Sequence, residues 1–463
     1  MTERPSRMPP ASKERRESTS ISDFRLIKTA LEETDDGPVT SPIFTRHRLE
    51  GFRQDYKALI DKEGGEKTMT IPGLSFKPED AVTVTLRQEV KKFFGWANNN
   101  AKDELKEGEE FLVRILNFKD VHGRTATITL YERDDIKIVH KSTVELVGYE
   151  LNPNRHYTRY PPALTDSSEV WKMKDMQAHC PLSIGVEFHA LHGPEKLYPT
   201  REQLAKSIDS WTEEWEQSDL RKALVEALEP NAKNMPEVKK IVCFGLGYLF
   251  PDLDHCRAYI QHLAARDIGK ILEKGQTKDK AHPHEIKIYA QDPRYREVCI
   301  GLLEELGITT VDAYSAEGIL LIDEHTFIVE IAAGPDFMEP AVDIAFPNGP
   351  AGYLSRKVSG NKEQARDKAI TTGPVYDAAL NEVSDRVWKY RESCAQFPAV
   401  TDAKRFGFPP SRITRTREII VPDNAPQSGE DSIPHINYII ETDENGQDVM
   451  SKFDTELLLR RSL

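Results

Sequence analysis

The residues best suited to chemistry lie in the middle of the chain. Ile241-Val242-Cys243-Phe244 runs straight into Gly245-Leu246-Gly247. Glycines at a strand end let the backbone approach a ligand closely, and the first amides of a following helix can hold an anion. A full dinucleotide fingerprint needs a third glycine three residues further on. Here position 250 is Phe, followed by Pro251, so the loop is degenerate. The second candidate is Asp292, at the end of the apolar segment Ile286 to Gln291. A carboxylate there can accept hydrogen bonds from a ribose, as in nucleotide and S-adenosylmethionine sites. Equally, Asp292-Pro293 can open a turn and cap the next helix, and one residue can do both. Gly245, Gly247 and Asp292 are the candidate cofactor-binding residues; the cofactor is not specified.

Other reactive side chains read as structural. His282 and His284 could share a metal only on a strand, and no third ligand stands near them, so they read as a solvated insertion. His255 and His262 lack the i, i+4 relation, and no metal ligands are assigned. Cys243 sits within an apolar strand, where a small core residue is the default. Trp211 and Trp215, one helical turn apart, read as a packing face. Arg15-Arg16-Glu17-Ser18 has the form basophilic kinases accept but reads as part of a solvated tail. No G-x-S-x-G, H-E-x-x-H, P-loop or kinase signature occurs, and the catalytic residues, if any, are unknown.

These residues must be positioned by regular elements. Thr200 starts a helical pattern through Leu204, Ile208, Trp211 and Trp215, and Leu220, Leu224 and Leu228 continue it, giving one long or two short helices from 201 to 229. Strands are then expected at 239–244, 285–290, 308–311 and 326–331, with helices at about 254–272 and 295–306, the latter stopping at Gly307. Such alternation makes β-α-β units and a parallel sheet covered on both faces. A further helix is expected from Val375 to Tyr390. The predicted fold class is α/β, a Rossmann-like parallel-sheet core with an α+β N-terminal region and disordered tails.

The predicted domains are a disordered tail at 1–40, a poorly defined α+β region at 41–195, a Rossmann-like domain at 200–395 and a partly disordered extension at 396–463. The α+β region should hold a helix at 45–63 and a hairpin of Phe111–Phe118 and Thr125–Tyr131 turning at His122-Gly123. It should also hold an alternating run at 82–86 that turns helical through Val90, and a strand at Val144–Tyr149. Tyr438-Ile439-Ile440 and Leu457-Leu458-Leu459 read as apolar islands in a polar tail.

Composition bounds the function. The chain has 463 residues, 30% charged and 38% hydrophobic, with a formal net charge of −14. An acidic surface repels phosphate, so a general nucleic-acid binder is excluded, and no stretch approaches the ~18 apolar residues of a spanning helix. Five scattered cysteines with no C-x-x-C pair suit a reducing compartment, and the N-terminus lacks an apolar signal region. Cytoplasm, nucleus or both are expected.

Residues 241–247 with their following helix, then Ile288-Tyr289-Ala290-Gln291-Asp292-Pro293, then Leu303 to Gly307 and Glu317-Gly318, resemble the sensitivity-to-red-light-reduced-like (SRR-like) domain family. The resemblance covers about 200 to 355. Many members carry a Pro-His-Cys-like element after the last strand; here the place holds Ala332-Ala333-Gly334-Pro335-Asp336. The family implies roles in circadian and light signalling, haem-synthesis regulation and microtubule stability, and no defined reaction. The expected function is therefore regulatory or interaction-type, with a small-molecule or nucleotide ligand at the sheet edge and protein partners. The alternative is a nucleotide- or S-adenosylmethionine-dependent transferase using Gly245, Gly247 and Asp292.

Overall fold

The computed structural model describes residues 42–61, 65–73, 81–92, 110–131, 135–140, 168–177, 180–187, 200–249, 256–277, 285–330, 337–356, 385–397 and 455–462. The expected tail at 1–40, the strand at 144–149, residues 375–384 of the expected helix, Tyr438-Ile439-Ile440, His255, His282 and His284 lie outside them.

The N-terminal part begins with α1 (Arg46–Ile60), whose Thr45 side chain accepts from the Arg48 amide as an N-cap. Leu49, Phe52, Tyr56 and Leu59 form its buried stripe. Strands β1 (Lys67–Ile71), β2 (Val82–Lys92), β3 (Glu110–Asp120) and β4 (Thr125–Tyr131) make an antiparallel sheet in that order. The β3–β4 hairpin turns at Gly123, which has φ 78°. β2 does not turn helical at Val90. It stays extended to Lys92 because every residue from Val82 onward is registered against β3, ending at Lys92 opposite Glu110. Strand β5 (Asp135–His140) pairs with β6 (Leu182–Glu187), and α2 (Ser168–Met176) lies between them in sequence.

The larger part is mixed α/β. Two helices, α3 (Arg201–Gln217) and α4 (Asp219–Leu228), break at Ser218, and α3 opens with a Thr200–Gln203 capping box. Then come β7 (Lys240–Phe244), α5 (Cys256–Thr277), β8 (Lys287–Gln291), α6 (Glu297–Glu305), β9 (Ile308–Thr310), α7 (Glu317–Leu320), β10 (Thr326–Glu330), α8 (Met338–Ile344), β11 (Gly352–Arg356), α9 (Asp385–Ser393), β12 (Cys394–Phe397) and β13 (Thr455–Arg460). Gly307, at φ 77°, ends the turn after α6. The sheet has seven strands in the order β12-β13-β11-β10-β7-β8-β9. Strands β11, β10, β7, β8 and β9 are mutually parallel, while β13 is antiparallel to both neighbours.

Central strands are apolar on both faces, as a covered parallel sheet requires. Ile241, Cys243, Phe327 and Val329 face a core built with α3, α4, α5 and α6. Val242, Phe244, Ile328 and Tyr353 face a second core that includes α8, α9 and the N-terminal part. That second core is clasped by polar groups. Asp343 Oδ2 accepts from the amides of Ile43 (2.8 Å) and Phe44 (3.1 Å), and Arg386 bridges Asp343 (2.6 Å) and Glu339 (2.7 Å). Arg46 donates to the carbonyls of Leu320 and Ile322, and Ile138 donates to that of Tyr314. No helix among the described residues is long and apolar enough to cross a membrane.

Candidate functional site

β7 is the first strand of the parallel set and lies at its middle. β8 and β9 extend the sheet to one side, β10 and β11 to the other. The chain therefore reverses direction across the sheet between β7 and β10. The helix after β7 packs on one face and the helix after β10 on the other. Crevices at such switch points, outside the carboxyl ends of the strands, are where open α/β sheets take ligands.

Both sequence-singled glycines lie on this edge. Gly245 has φ 63° and Gly247 φ 84°, values that favour glycine. The Gly245 amide donates to the Gln291 carbonyl at 3.0 Å, which extends the β7–β8 ladder by one step. A Cβ on Gly247 would come 3.3 Å from the Ala258 Cβ, so the loop runs close under the first turn of α5.

Asp292 follows β8 and is buried. Its Oδ2 accepts from the Gly247 amide at 2.7 Å and its Oδ1 from the Arg294 amide at 2.8 Å. The carboxylate thus ties the loops after two adjacent parallel strands together. The Arg294 contact is an Asx-type turn. The N-cap of α6 is Arg296, without a side-chain cap bond, so the helix start is not held by Asp292.

Read from sequence, His262 has no metal role and Tyr295 does not stand out, yet the fold joins them. His262 lies one turn after Ala258 on α5, with Nδ1 2.6 Å from the Ala258 carbonyl. Nδ1 must therefore carry the proton, and Nε2 accepts from the Tyr295 hydroxyl at 2.6 Å. Burial holds the His262 pKa down to about 4, so the ring is neutral. Burial, then the Asp292 carboxylate, pushes the Tyr295 phenol well up. The Tyr295 amide donates to the Asp292 carbonyl at 3.2 Å. Gly247, Asp292, Tyr295, His262 and Ala258 thereby close a ring of contacts around the loop. Helical phase gives no signal for His262, because α5 is buried on every side from Ala258 to Ala265.

The β10 side of this edge is also packed. The Tyr353 hydroxyl donates to Glu330 at the end of β10, and burial, then that carboxylate, raises the Tyr353 pKa. Phe337 stacks on Phe244 at 4.7 Å, and His140 from β5 meets Phe337 edge-on at 4.6 Å. Gln291 accepts from the Gly318 amide at 2.8 Å. Cys243 is buried, and burial raises its thiol pKa, which suits a core residue rather than a nucleophile. Trp211 and Trp215 are buried, with Trp215 Nε1 donating to Asp267, so they form a packing face. Among the described residues no group of three or more His, Cys, Asp or Glu could hold a metal ion.

A parallel sheet with β7 central and this glycine–aspartate junction meets a family comparison at the same place. Residues 220–339 match the SRR1 domain. The matched span runs from α4 into α8, so it contains β7, β8, β9 and β10 and every residue of the Gly247–Asp292–Tyr295–His262 ring. The N-terminal part and strands β11, β12 and β13 lie outside the SRR1 match. No curated protein and no solved structure matches the chain.

Proposed function

We propose that this is a regulatory, SRR1-domain protein whose Rossmann-like core binds a small ligand at the carboxyl edge between β7 and β10. The observation that supports the reading is the 2.7 Å bond from the Gly247 amide to Asp292, which ties the loops after β7 and β8 at the carboxyl edge, where doubly wound sheets take ligands. Gly245 and Gly247 would let the ligand approach backbone, and the Asp292 carboxylate at the end of β8 would be the acceptor for a ribose or other polyol. The strand order supports the Rossmann-like reading, because β9-β8-β7-β10-β11 repeats the 3-2-1-4-5 order of doubly wound sheets. The regulatory class is favoured over a transferase by the state of the ionisable groups. His262 is neutral and bonded at both nitrogens, Cys243 is buried and protonated, and Glu330 is bonded to Tyr353. None is poised as an acid, base or nucleophile. Four buried free cysteines, Cys180, Cys243, Cys299 and Cys394, fit a cytoplasmic or nuclear setting. Protein partners complete the reading.

A thermal-shift screen with ATP, S-adenosylmethionine and haem tests it. A ligand that binds the native state at about a hundred times its Kd adds about 2.7 kcal/mol of stability. The expected result is a rise in Tm with one chemical class. A flat screen at millimolar ATP and S-adenosylmethionine and at micromolar haem would remove the ligand-binding part. Turnover of S-adenosylmethionine with a transferred methyl group would replace the reading with the transferase.

A further inference from the structure

Strand β2 outruns its outer neighbour. β1 pairs with it only from Val82 to Leu86, whereas β3 backs it to the end, with Lys92 opposite Glu110. From Arg87 to Lys92 the outer edge of β2 has no strand against it among the described residues. The other edge of the same sheet is covered: the Thr127 amide of β4 donates to Glu169 on α2 at 3.0 Å. Proteins cover or blunt strand edges because their unpaired N–H and C=O groups invite another strand. The bare stretch also carries apolar surface. Val82, Val84 and Leu86 are buried, and alternation puts Val90 on their face, beyond the core and 65% exposed. Leu112, its partner on β3, is 39% exposed.

The charges along this edge complement themselves. Laid antiparallel against an identical edge with Val90 facing Val90, each Glu89 lies opposite Lys91 of the other copy, and each Gln88 opposite Lys92. Opposite charges across an antiparallel pair stabilise it, and like charges oppose it. Sliding one strand by two residues sets Glu89 against Glu89 in one direction and Lys91 against Lys91 in the other. A slide of one residue joins the core face of one copy to the outer face of the other. A slide of four brings Arg87 against Glu89, but Val90 then falls opposite Leu86, where β1 already pairs. Parallel pairing in register sets like on like throughout. Within one copy Glu89 already lies 3.1 Å from Arg87, and Lys92 is 3.4 Å from Glu110, while Lys91 makes no ion pair among the described residues. The register centred on Val90 gives Lys91 its carboxylate. It also runs the apolar stripe from Leu112 and Val90 on to the same two residues of the other copy. Such a contact is isologous, so it closes as a two-fold dimer.

We infer that the Arg87–Lys92 edge of β2 is a dimerisation site and that its partner is the same edge of a second copy of this chain, antiparallel about Val90. This stands independently of the ligand reading, since none of its residues belongs to the Gly247–Asp292 ring. A contact this short falls at the small end of protein interfaces, so the dimer should be weak, with a Kd on the order of 10 μM.

The test is sedimentation velocity of the full chain, from about a tenth to about ten times that Kd. A dimer that grows with concentration is expected. Glu89→Lys and Lys91→Glu each set like charges opposite one another at both pairs, so each variant alone should dimerise roughly tenfold more weakly. Mixed in equal amounts, the two variant chains face opposite charges at both pairs. The dimer should then return as a mixed species, read from a fluorescent label on one chain. The mixture also controls for folding, because two damaged chains would not restore a dimer. A chain that stays monomeric throughout this range would overturn the inference. A dimer that both variants leave intact would overturn the edge as its site. Loss in each variant without return in the mixture would overturn the antiparallel second copy as the partner.

Discussion

Replacing Asp292 by Ala removes the acceptor for two backbone amides, those of Gly247 and Arg294. Bonds to a charged acceptor contribute about 1.5–3 kcal/mol each, and an amide left without a partner keeps its desolvation penalty. Both bonds are part-buried, so water recovers a share, and the expected loss is about 2–4 kcal/mol. For a cooperative unit of 150–250 residues, each kcal/mol lowers Tm by about 2–4 °C, giving a drop of roughly 5–15 °C. Asp292→Asn keeps one acceptor oxygen and should lose about half as much. The α6 cap contributes nothing to this figure, because Arg296 is the N-cap and makes no side-chain cap bond. Calorimetry of the three proteins, with hydrogen exchange followed on peptides containing Gly247 and Arg294, reads both parts. Exchange should rise in these peptides while β10 stays protected. An Asp292→Ala protein that melts within a degree of wild type, with unchanged protection at Gly247, would refute the claim that this carboxylate holds the two loops together.

Gly247→Val puts a β-branched side chain at φ 84° and a Cβ 3.3 Å from Ala258, so a loss of about 1–3 kcal/mol is expected in urea unfolding. His262 is held neutral, with its pKa near 4 against about 6.5 in an unfolded chain. The unfolded chain therefore binds the extra proton between these values: stability is full above about pH 6.5, falls on the order of 3 kcal/mol as pH drops toward 4, and is level below. Desolvation also holds the His140 pKa down to about 4, which adds a slope of the same sign, so urea unfolding from pH 7 to 4.5 should show both contributions and His262→Gln should remove about half of this histidine part; an unchanged slope in the variant counts against the neutral ring. Asp343→Ala leaves the Ile43 and Phe44 amides without their acceptor and Arg386 with Glu339 in place of two carboxylates, which should cost about 3–5 kcal/mol and speed proteolytic cleavage near the start of α1.

Much of the parallel sheet is legible locally. A run such as Ile241–Phe244 is apolar without alternation because both faces of β7 are covered, and that cause leaves its mark in four adjacent letters. The hairpin at Gly123 and the stop at Gly307 are visible for the same reason, since each needs a residue at positive φ where it turns. What depends on distant pairing is not visible. Leu457–Leu459 reads as an island in a tail because its two neighbouring strands lie far back in sequence. β2 reads as helical beyond Val90 because only its register with β3 keeps it extended, and Val90 faces solvent opposite the exposed Leu112. The candidate site divides in the same way. Gly245, Gly247 and Asp292 stand out by type and by place at strand ends. Asp292's tie to an amide 45 residues away, and the His262–Tyr295 bond across 33, follow only from the fold.

The ligand reading at the β7–β10 edge is tested most directly by isothermal titration of wild type and Asp292→Asn with whichever of ATP, S-adenosylmethionine or haem raises the wild-type Tm most. The expected result is saturable binding to wild type and a ten- to hundredfold weaker Kd in the variant, equal to about 1.5–3 kcal/mol, with the circular-dichroism spectrum retained. Equal affinity in the two proteins would contradict it, and would leave Asp292 as a tie between loops and nothing more.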